Sequence, residues 1–408
     1  MRILILSQNY YPEPDQKMHI LAKELVKIGH EVRVITSFPN YPEGKIYPGY
    51  KQRLVQKEKI DGISLVRLPL YPDKSQSIIR RSLNYLSFPF IATLLGPLVC
   101  GRADVMLVYH PPITLGIPAL VISIIRRLPF VYEIQDMWPE TLLATGMISN
   151  QMILGLIGIF CKFVYRWASA ITVISPGFKQ NLICKGVEGE KISVLYNWAY
   201  EGDFILPERN NDFARMIGLD GFFNVMYAGN LGPAQGLENI LDTAALLQDI
   251  NDLQFVFIGG GIDHARIINE VRVRKINNIK FLPRVPIDSM PAYYALADVL
   301  MIHLKNDPLF EITIPGKTQS YLLSGKPIIA SVNGDTAKLI EEAGAGYGVK
   351  AMDPRDLANV TRKIYNMSLN ERRLMGDRGR EFYYKRLSPE VQVMRYESIF
   401  REITNVHD

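Results

Sequence analysis

The sequence predicts two doubly wound α/β domains facing each other across a cleft. Three observations carry that expectation. The 408 residues suffice for two domains of ordinary size. Short apolar runs alternate with helical patterns, and the alternation breaks after about residue 197 and restarts at 224. Near-continuous apolar strands joined by helical crossovers belong to parallel sheets covered on both faces.

Ile3–Leu6 opens the chain as an apolar run; Met18, Leu21, Leu25 and Ile28 then recur at helical spacing, and Gly29 ends that helix. Strands are expected at Val32–Thr36, Ile63–Leu68, Val105–Tyr109, Phe130–Ile134, Ala170–Ile174 and Ile192–Leu195. The stretch 197–222, rich in Pro, Asn, Asp and Glu, reads as a linker. Asn224–Ala228, Phe255–Ile258, Ile279–Leu282, Val299–Leu304, Pro327–Ser331 and Gly348–Val349 follow as strands, and the last 50 or so residues read as helices. The expected boundaries are 1–200, 201–385 and a C-terminal helix, 386–408, packing back on the first domain.

Composition excludes several classes. With 46 basic and 41 acidic residues the net charge is +5, too mild for a nucleic-acid binder, and 48% apolar residues exclude disorder. Cys100, Cys161 and Cys184 form no CxxC pair, which argues against a disulfide framework or structural zinc and fits a reducing cytoplasm. The N-terminus reads as a buried strand and not as a signal peptide. The longest apolar stretch, Leu86–Cys100, contains Pro89, Gly96 and Pro97 and is too short to span a bilayer, which takes about 20 residues.

Ligands of open α/β sheets bind beyond the carboxyl ends of the strands. Pro315-Gly316-Lys317-Thr318 opens a helical pattern and reads either as an anion site, with free N–H groups and the Lys317 charge, or as an ordinary capped helix start. The turn Gly229–Gly236 (GNLGPAQG) reads either as a phosphate cradle, with Gly232 and with Asn230 and Gln235 as donors, or as a tight strand-to-helix turn. Gly259-Gly260-Gly261 lacks a GxGxxG continuation and reads as a plain turn. Glu133, Asp136 and Glu140 cluster after the fifth expected strand; Asp136 suits a catalytic position or a helix cap, and Glu133 an internal partner. His110 is an acid/base candidate or a structural histidine. No DxD, HExxH or GxSxG occurs, so no metal site is expected.

The blocks ILILSQNYYPEPDQ, SFPNYPEG, YEIQDMWPE, AGNLGPAQGLENIL and IPGKTQSYLLSGKPIIAS, in this order, resemble family-four glycosyltransferases of the GT-B fold, nearest to the branch that builds O-antigen, capsule and colanic acid, fucosaminyltransferase-like members included. The resemblance implies retaining, metal-independent transfer from a nucleotide-sugar, UDP-linked, with no cofactor beyond that co-substrate. It implies donor contacts from Gly229, Asn230, Gly232, Gln235, Gly316, Lys317, Thr318 and Ser320, catalytic roles for Asp136, Glu311 and His110, and an acceptor side at Glu13, Asp15 and Tyr41. The chain departs from the family where Asn230 and Gln235 replace an Arg and a Lys, and where the two spaced glutamates fall on Ile312, beside Glu311, and on Ser320.

The implied acceptor is a polyprenyl-diphosphate-linked sugar, so the first domain is expected to touch a membrane from the cytoplasmic side, at the inner face of the bacterial plasma membrane. Ile78–Leu98, with Arg80 and Arg81, and Met152–Trp167, with Lys162 and Arg166, mix basic and apolar residues as interfacial helices do; core helices with snorkelling cations give the same pattern. The loop Phe38–Tyr50 suits an acceptor-side lid or a rigid surface loop. Two other functions fit the same architecture: a UDP-sugar 2-epimerase-like enzyme, and a catalytically silent relative that binds lipid or a partner.

Overall fold

The computed structural model describes residues 1–73, 78–144, 146–199 and 206–405, without the side chains of Ile78, Ile79, Arg81 and Asn405. The Arg81 side chain and part of the linker expected over 197–222 therefore lie outside what the structure describes. The chain divides into two units, Met1–Tyr196 with Pro389–Asp408, and Asn197–Ser388.

The first unit is built on eight strands: β1 Arg2–Leu6, β2 Glu31–Ser37, β3 Gln56–Ile60, β4 Ile63–Leu68, β5 Val105–His110, β6 Phe130–Ile134, β7 Ala170–Val173 and β8 Ile192–Val194. Their order is β3-β4-β2-β1-β5-β6-β7-β8, parallel except for the β3–β4 hairpin. Every residue of β5, β6 and β7 is buried, which is why these strands read as near-continuous apolar runs, with Glu133, His110 and Thr172 as buried polar exceptions. The sequence reading missed β3, QKEKI, which has no apolar run. It is an edge strand whose exposed Lys57 and Lys59 discourage further pairing. Strand order reverses between β1 and β5, which opens a crevice above their carboxyl ends.

The helix expected over Ile78–Leu98 is present as a 22-residue helix, Ile78–Val99, and it continues through Pro89 and Pro97. Pro89 has no N–H for the Tyr85 carbonyl, and the Thr114 hydroxyl supplies the missing donor at 2.7 Å. The expectation that no segment is long and apolar enough to span a bilayer is thereby corrected. Ser82–Val99 qualifies by length and composition, and 28% of it is buried within the structure. This helix packs on Gly116–Arg126, which packs on Gln151–Trp167. A Cβ on Gly116 would lie 2.5 Å from the Val164 side chain, so glycine sets the spacing of the second pair.

The final helix, Pro389–Asn405, packs on Lys17–Lys27 and completes the first unit. Tyr396, fully buried, donates from its hydroxyl to Glu133 at 2.6 Å.

The second unit carries six parallel strands: β9 Phe223–Ala228, β10 Leu253–Ile258, β11 Ile279–Leu282, β12 Val299–His303, β13 Ile328–Ser331 and β14 Gly346–Val349. Their order, β11-β10-β9-β12-β13-β14, reverses between β9 and β12. Phe255, Phe257, Val225, Met301 and Ile329 lie in its core, against Leu237, Ile240 and Leu241 of the helix after β9.

Candidate active site

In the second unit the glycine turn after β9 meets the helix Lys317–Ser324. The Tyr321 hydroxyl fixes this meeting, accepting from the Ala228 N–H at 3.0 Å and facing the Ala228 carbonyl at 3.3 Å. Lys317 then lies with its ammonium 3.8 Å from the Tyr227 ring centroid, and a Cβ on Gly229 would come within 3.0 Å of it. Lys317 has no carboxylate partner among the described residues. Desolvation lowers its pKa to about 7.

The turn differs from the cradle of free amides that its sequence suggested. The N–H groups of Gly229 and Leu231 donate to the carbonyls of Ile258 and Gly260, both at 2.9 Å. That of Gly232 donates to the side-chain oxygen of Gln235 at 3.2 Å, so Gln235 is placed as an acceptor inside the turn and not as a donor aimed outward. Asn230 is exposed, and its main-chain N–H keeps no partner among the described residues. Gly259 has a physical reason beyond a plain turn: a Cβ there would sit 2.0 Å from the Gly229 carbonyl oxygen, so the two loops could not touch.

His303, missed by the sequence reading, holds the turn from below. Its Nδ1–H donates to the Gln235 carbonyl at 2.5 Å, and its Nε2 accepts from Asn239 at 2.8 Å. Burial lowers its pKa to about 4, so it serves as a neutral brace. Its position at the end of β12 was the available signal.

At the helix start Thr318 N–H donates to the Pro315 carbonyl at 2.9 Å, and the Gln319 amide, in its satisfied orientation, donates to the carbonyls of Gly316 and Pro315. Thr318 is fully buried with an unpartnered hydroxyl, which corrects its expected place on the donor surface; Gly316 is exposed and Ser320 half-buried. Glu311 ends the short helix Pro308–Glu311, half-buried, and its carboxylate has no partner among the described residues.

In the first unit a cavity of about 540 Å³ opens at the reversal point, above the carboxyl ends of β1, β2, β5 and β6. Gln8, Asp15, Tyr41, Asn84, Asp136 and Trp138 are among its lining residues. Three residues chosen from the sequence, Asp15, Tyr41 and Asp136, thus share one cavity. Asp136 has no hydrogen-bond partner for its carboxylate among the described residues, and burial raises its pKa. Asp15 accepts from the Tyr109 hydroxyl at 2.9 Å and the Lys17 N–H at 3.2 Å. Carboxylates, amides and flat aromatic faces in one cavity suit the hydroxyls and apolar ring faces of a carbohydrate.

Glu13 and His110 take other places. Glu13, fully buried, accepts from the N–H groups of Asn40 at 2.6 Å, Tyr41 at 2.8 Å and Tyr10 at 3.2 Å, so it ties the loops after β1 and β2 together and does not line the cavity. Desolvation raises its pKa against those three donors. His110 is fully buried, edge-on to Trp138 at 5.5 Å, with neither ring nitrogen hydrogen-bonded and its pKa lowered to about 3. That environment keeps the imidazole neutral and sets its ring against the lining Trp138.

Glu133 belongs to a buried network. It accepts from Lys17 Nζ at 2.5 Å, Gln135 at 2.6 Å and Tyr396 at 2.6 Å. Lys17 also leads into the helix that follows Asp15, so the network supports the cavity floor. Among the described residues no three His, Cys, Asp or Glu side chains converge as metal ligands do.

Comparison with known proteins agrees with this architecture. Residues 16–198 match the glycosyl transferase 4-like domain family, and residues 223–367 match the glycosyl transferases group 1 family. An Escherichia coli (strain K12) protein named "Putative colanic acid biosynthesis glycosyl transferase WcaI" is 28% identical, covering 80% of this chain and 82% of its own. Among solved structures, Anabaena Alr3699/HepE in complex with UDP and glucose superposes with a TM-score of 0.69 at 17% identity, covering 98% of both chains. Sucrose-phosphate synthase from Thermosynechococcus elongatus reaches 0.72 at 15% identity, covering 99% of both. The two matches fall one on each half of the chain, the fold is that of the GT-B glycosyltransferases, and the protein is a glycosyltransferase.

Proposed function

We propose that the enzyme moves a sugar from a UDP-sugar to a polyprenyl-diphosphate-linked saccharide, with retention and without a divalent ion, in the assembly of a bacterial surface polysaccharide. The observation that carries this reading is the Lys317 ammonium, held over Tyr227 at the reversal point of the second sheet with no carboxylate beside it. A half-buried cation with no carboxylate beside it favours an incoming anion. The diphosphate of a nucleotide gains charge as the glycosidic bond breaks, and a preorganised cation with the exposed Asn230 N–H stabilises that charge. Alr3699/HepE, of the same fold, holds UDP, and UDP-glucose, in its solved complexes, which supports a UDP-linked donor.

The first unit takes the acceptor. Asp136 orients the hydroxyl that attacks, Asp15 and the amides bind neighbouring hydroxyls, and Tyr41 and Trp138 pack on sugar faces. Glu311 contacts the donor sugar. The three adjoining helices leave Phe90, Leu98, Ile124, Leu156 and Ile159 between 61% and 79% exposed, with Lys162 and Arg166 among them. That mixture fits attachment to the inner face of the plasma membrane, where the lipid-linked acceptor lies.

The test is transfer itself. Labelled UDP-sugars, N-acetylated amino sugars such as UDP-FucNAc included, are incubated with the enzyme and a bacterial lipid extract, with and without chelator. The expected result is label in the organic phase from at least one donor at a rate that chelator leaves unchanged. No transfer from any donor, or loss on chelation, contradicts the proposal.

A further inference from the structure

At the amino ends of the central strands of the first sheet lies a second cavity, of about 510 Å³, away from the acceptor cavity. Its walls come from the start of β1 (Arg2), the segment before β5 (Cys100–Ala103) and the segment before β6 (Ile125–Leu128). Four arginines line it: Arg2, Arg102, Arg126 and Arg127. A fifth, Arg33, lays its guanidinium where a Cβ on Gly101 would stand, 1.7 Å from that point.

The charges here are one-sided. Asp104 accepts from the Arg2 N–H at 2.7 Å and from its guanidinium at 3.1 Å, so both carboxylate oxygens are engaged by one arginine. Glu31 is the other acid near Arg2. Arg33, Arg102 and Arg127 have no carboxylate partner among the described residues. The carboxyl end of helix Gly116–Arg126 favours cations and accounts for Arg126, which donates to the Gly101 carbonyl at 3.0 Å, and for Arg127. It does not account for arginines brought to the same point from β1, β2 and the segment before β5. Guanidinium groups gathered around a concave surface match the oxygens of a phosphate, two at a time. Beside them stand Leu98, Ile124 and Ile125, which are 79%, 61% and 61% exposed.

We infer that this cavity binds a phosphate group, that of an anionic lipid headgroup, with the neighbouring apolar side chains entering the acyl region. The inference rests on the proposed attachment of the first unit to a membrane, and it adds a specific headgroup site to it. Arg102 and Arg127 are exposed, so reversing them leaves the fold intact, which a thermal melt checks.

The test is flotation of the full chain with phosphatidylcholine vesicles containing phosphatidylglycerol, for the native protein, for R102E/R127E and for K162E/R166E, which removes equal charge from another helix. In parallel, inorganic phosphate and dihexanoyl-phosphatidylglycerol below its micelle concentration are titrated by calorimetry. The inference expects at least a tenfold loss of vesicle binding in R102E/R127E, a smaller loss in K162E/R166E, and short-chain lipid binding that only R102E/R127E abolishes. Equal losses in both variants, or none in R102E/R127E, overturn the pocket while leaving membrane attachment standing. Binding of inorganic phosphate without vesicle binding keeps the phosphate site, makes free phosphate its source and removes the membrane reading. No binding in any arm overturns both.

Discussion

The Lys317 ammonium stands 3.8 Å from the centroid of the Tyr227 ring, and Lys317 has no carboxylate partner among the described residues. A cation–π contact at a half-buried position contributes about 1–2 kcal/mol, less than a well-placed carboxylate would. Lys317 is therefore held ready and not neutralised. Lys317→Ala is expected to weaken UDP binding by roughly tenfold to a hundredfold, the about 1.5–3 kcal/mol of a charged hydrogen bond. An unchanged dissociation constant by calorimetry removes Lys317 from the donor site.

The same residue makes binding pH-dependent. Its pKa is about 7 in the free enzyme, and a bound diphosphate raises it. Below pH 7 the ammonium is present in both states and pH has little effect through this group. Above pH 7 the free lysine is neutral and must take up a proton on binding, so affinity falls with pH until the bound-state pKa is reached. Native protein is expected to show this slope, and Lys317→Met to lose it.

Asp136 is expected to separate activity from stability. Its pKa is raised by burial, so the folded state holds the proton more tightly than the unfolded chain. The stabilisation linked to that proton is complete below the unfolded pKa and disappears as pH rises through the raised folded value. At neutral pH the carboxylate is thus a burden on the fold, and Asp136→Asn should melt at or above the native temperature. Turnover should fall about a hundredfold or more with UDP affinity unchanged. A variant with full activity, or one that melts far below native, contradicts the assignment.

Lys17 and Glu133 form a pair with side chains 9% and 1% exposed. Removing one charge leaves the other buried alone, so Lys17→Met is expected to cost about 3–5 kcal/mol in denaturant unfolding. The double change Lys17→Met with Glu133→Gln should cost less than that single change, because no uncompensated charge remains. Additive losses would show that the two do not act as a pair.

Glu13 tests the loops of the acceptor cavity. Glu13→Ala strips three main-chain donors of their acceptor and should cost at least the about 1–3 kcal/mol of one unsatisfied buried group. Glu13→Gln retains an oxygen for Asn40 and Tyr41 and should fall between. Equal melting temperatures for native protein and Glu13→Ala would remove this role.

What the sequence made legible follows physical lines. Parallel strands buried on both faces announce themselves, as β5 and β6 do; β3 has no such mark because its side chains alternate between sheet and water. How the helix Ile78–Val99 tolerates Pro89 was not legible, because the hydroxyl that replaces the lost donor, Thr114, lies 29 residues away from Tyr85. Pro-Gly-Lys at a helix start marked Lys317 as a candidate, and the place just past a strand marked Asp136. The acceptor role of Gln235 and the bracing of the turn by His303 were not, since both depend on how a loop closes. Glu133 was open between a site role and an internal one, and its partners Lys17 and Tyr396, 116 and 263 residues away, decide the matter.

The most direct measurement of the central claim is calorimetric titration of UDP into the full chain in the presence of chelator, at pH 8, in two buffers of different ionisation enthalpy. The account predicts binding that chelator leaves intact, with heats that differ between buffers because Lys317 takes up a proton. No binding heat under any condition, or binding that appears only when a divalent ion is added, would contradict it.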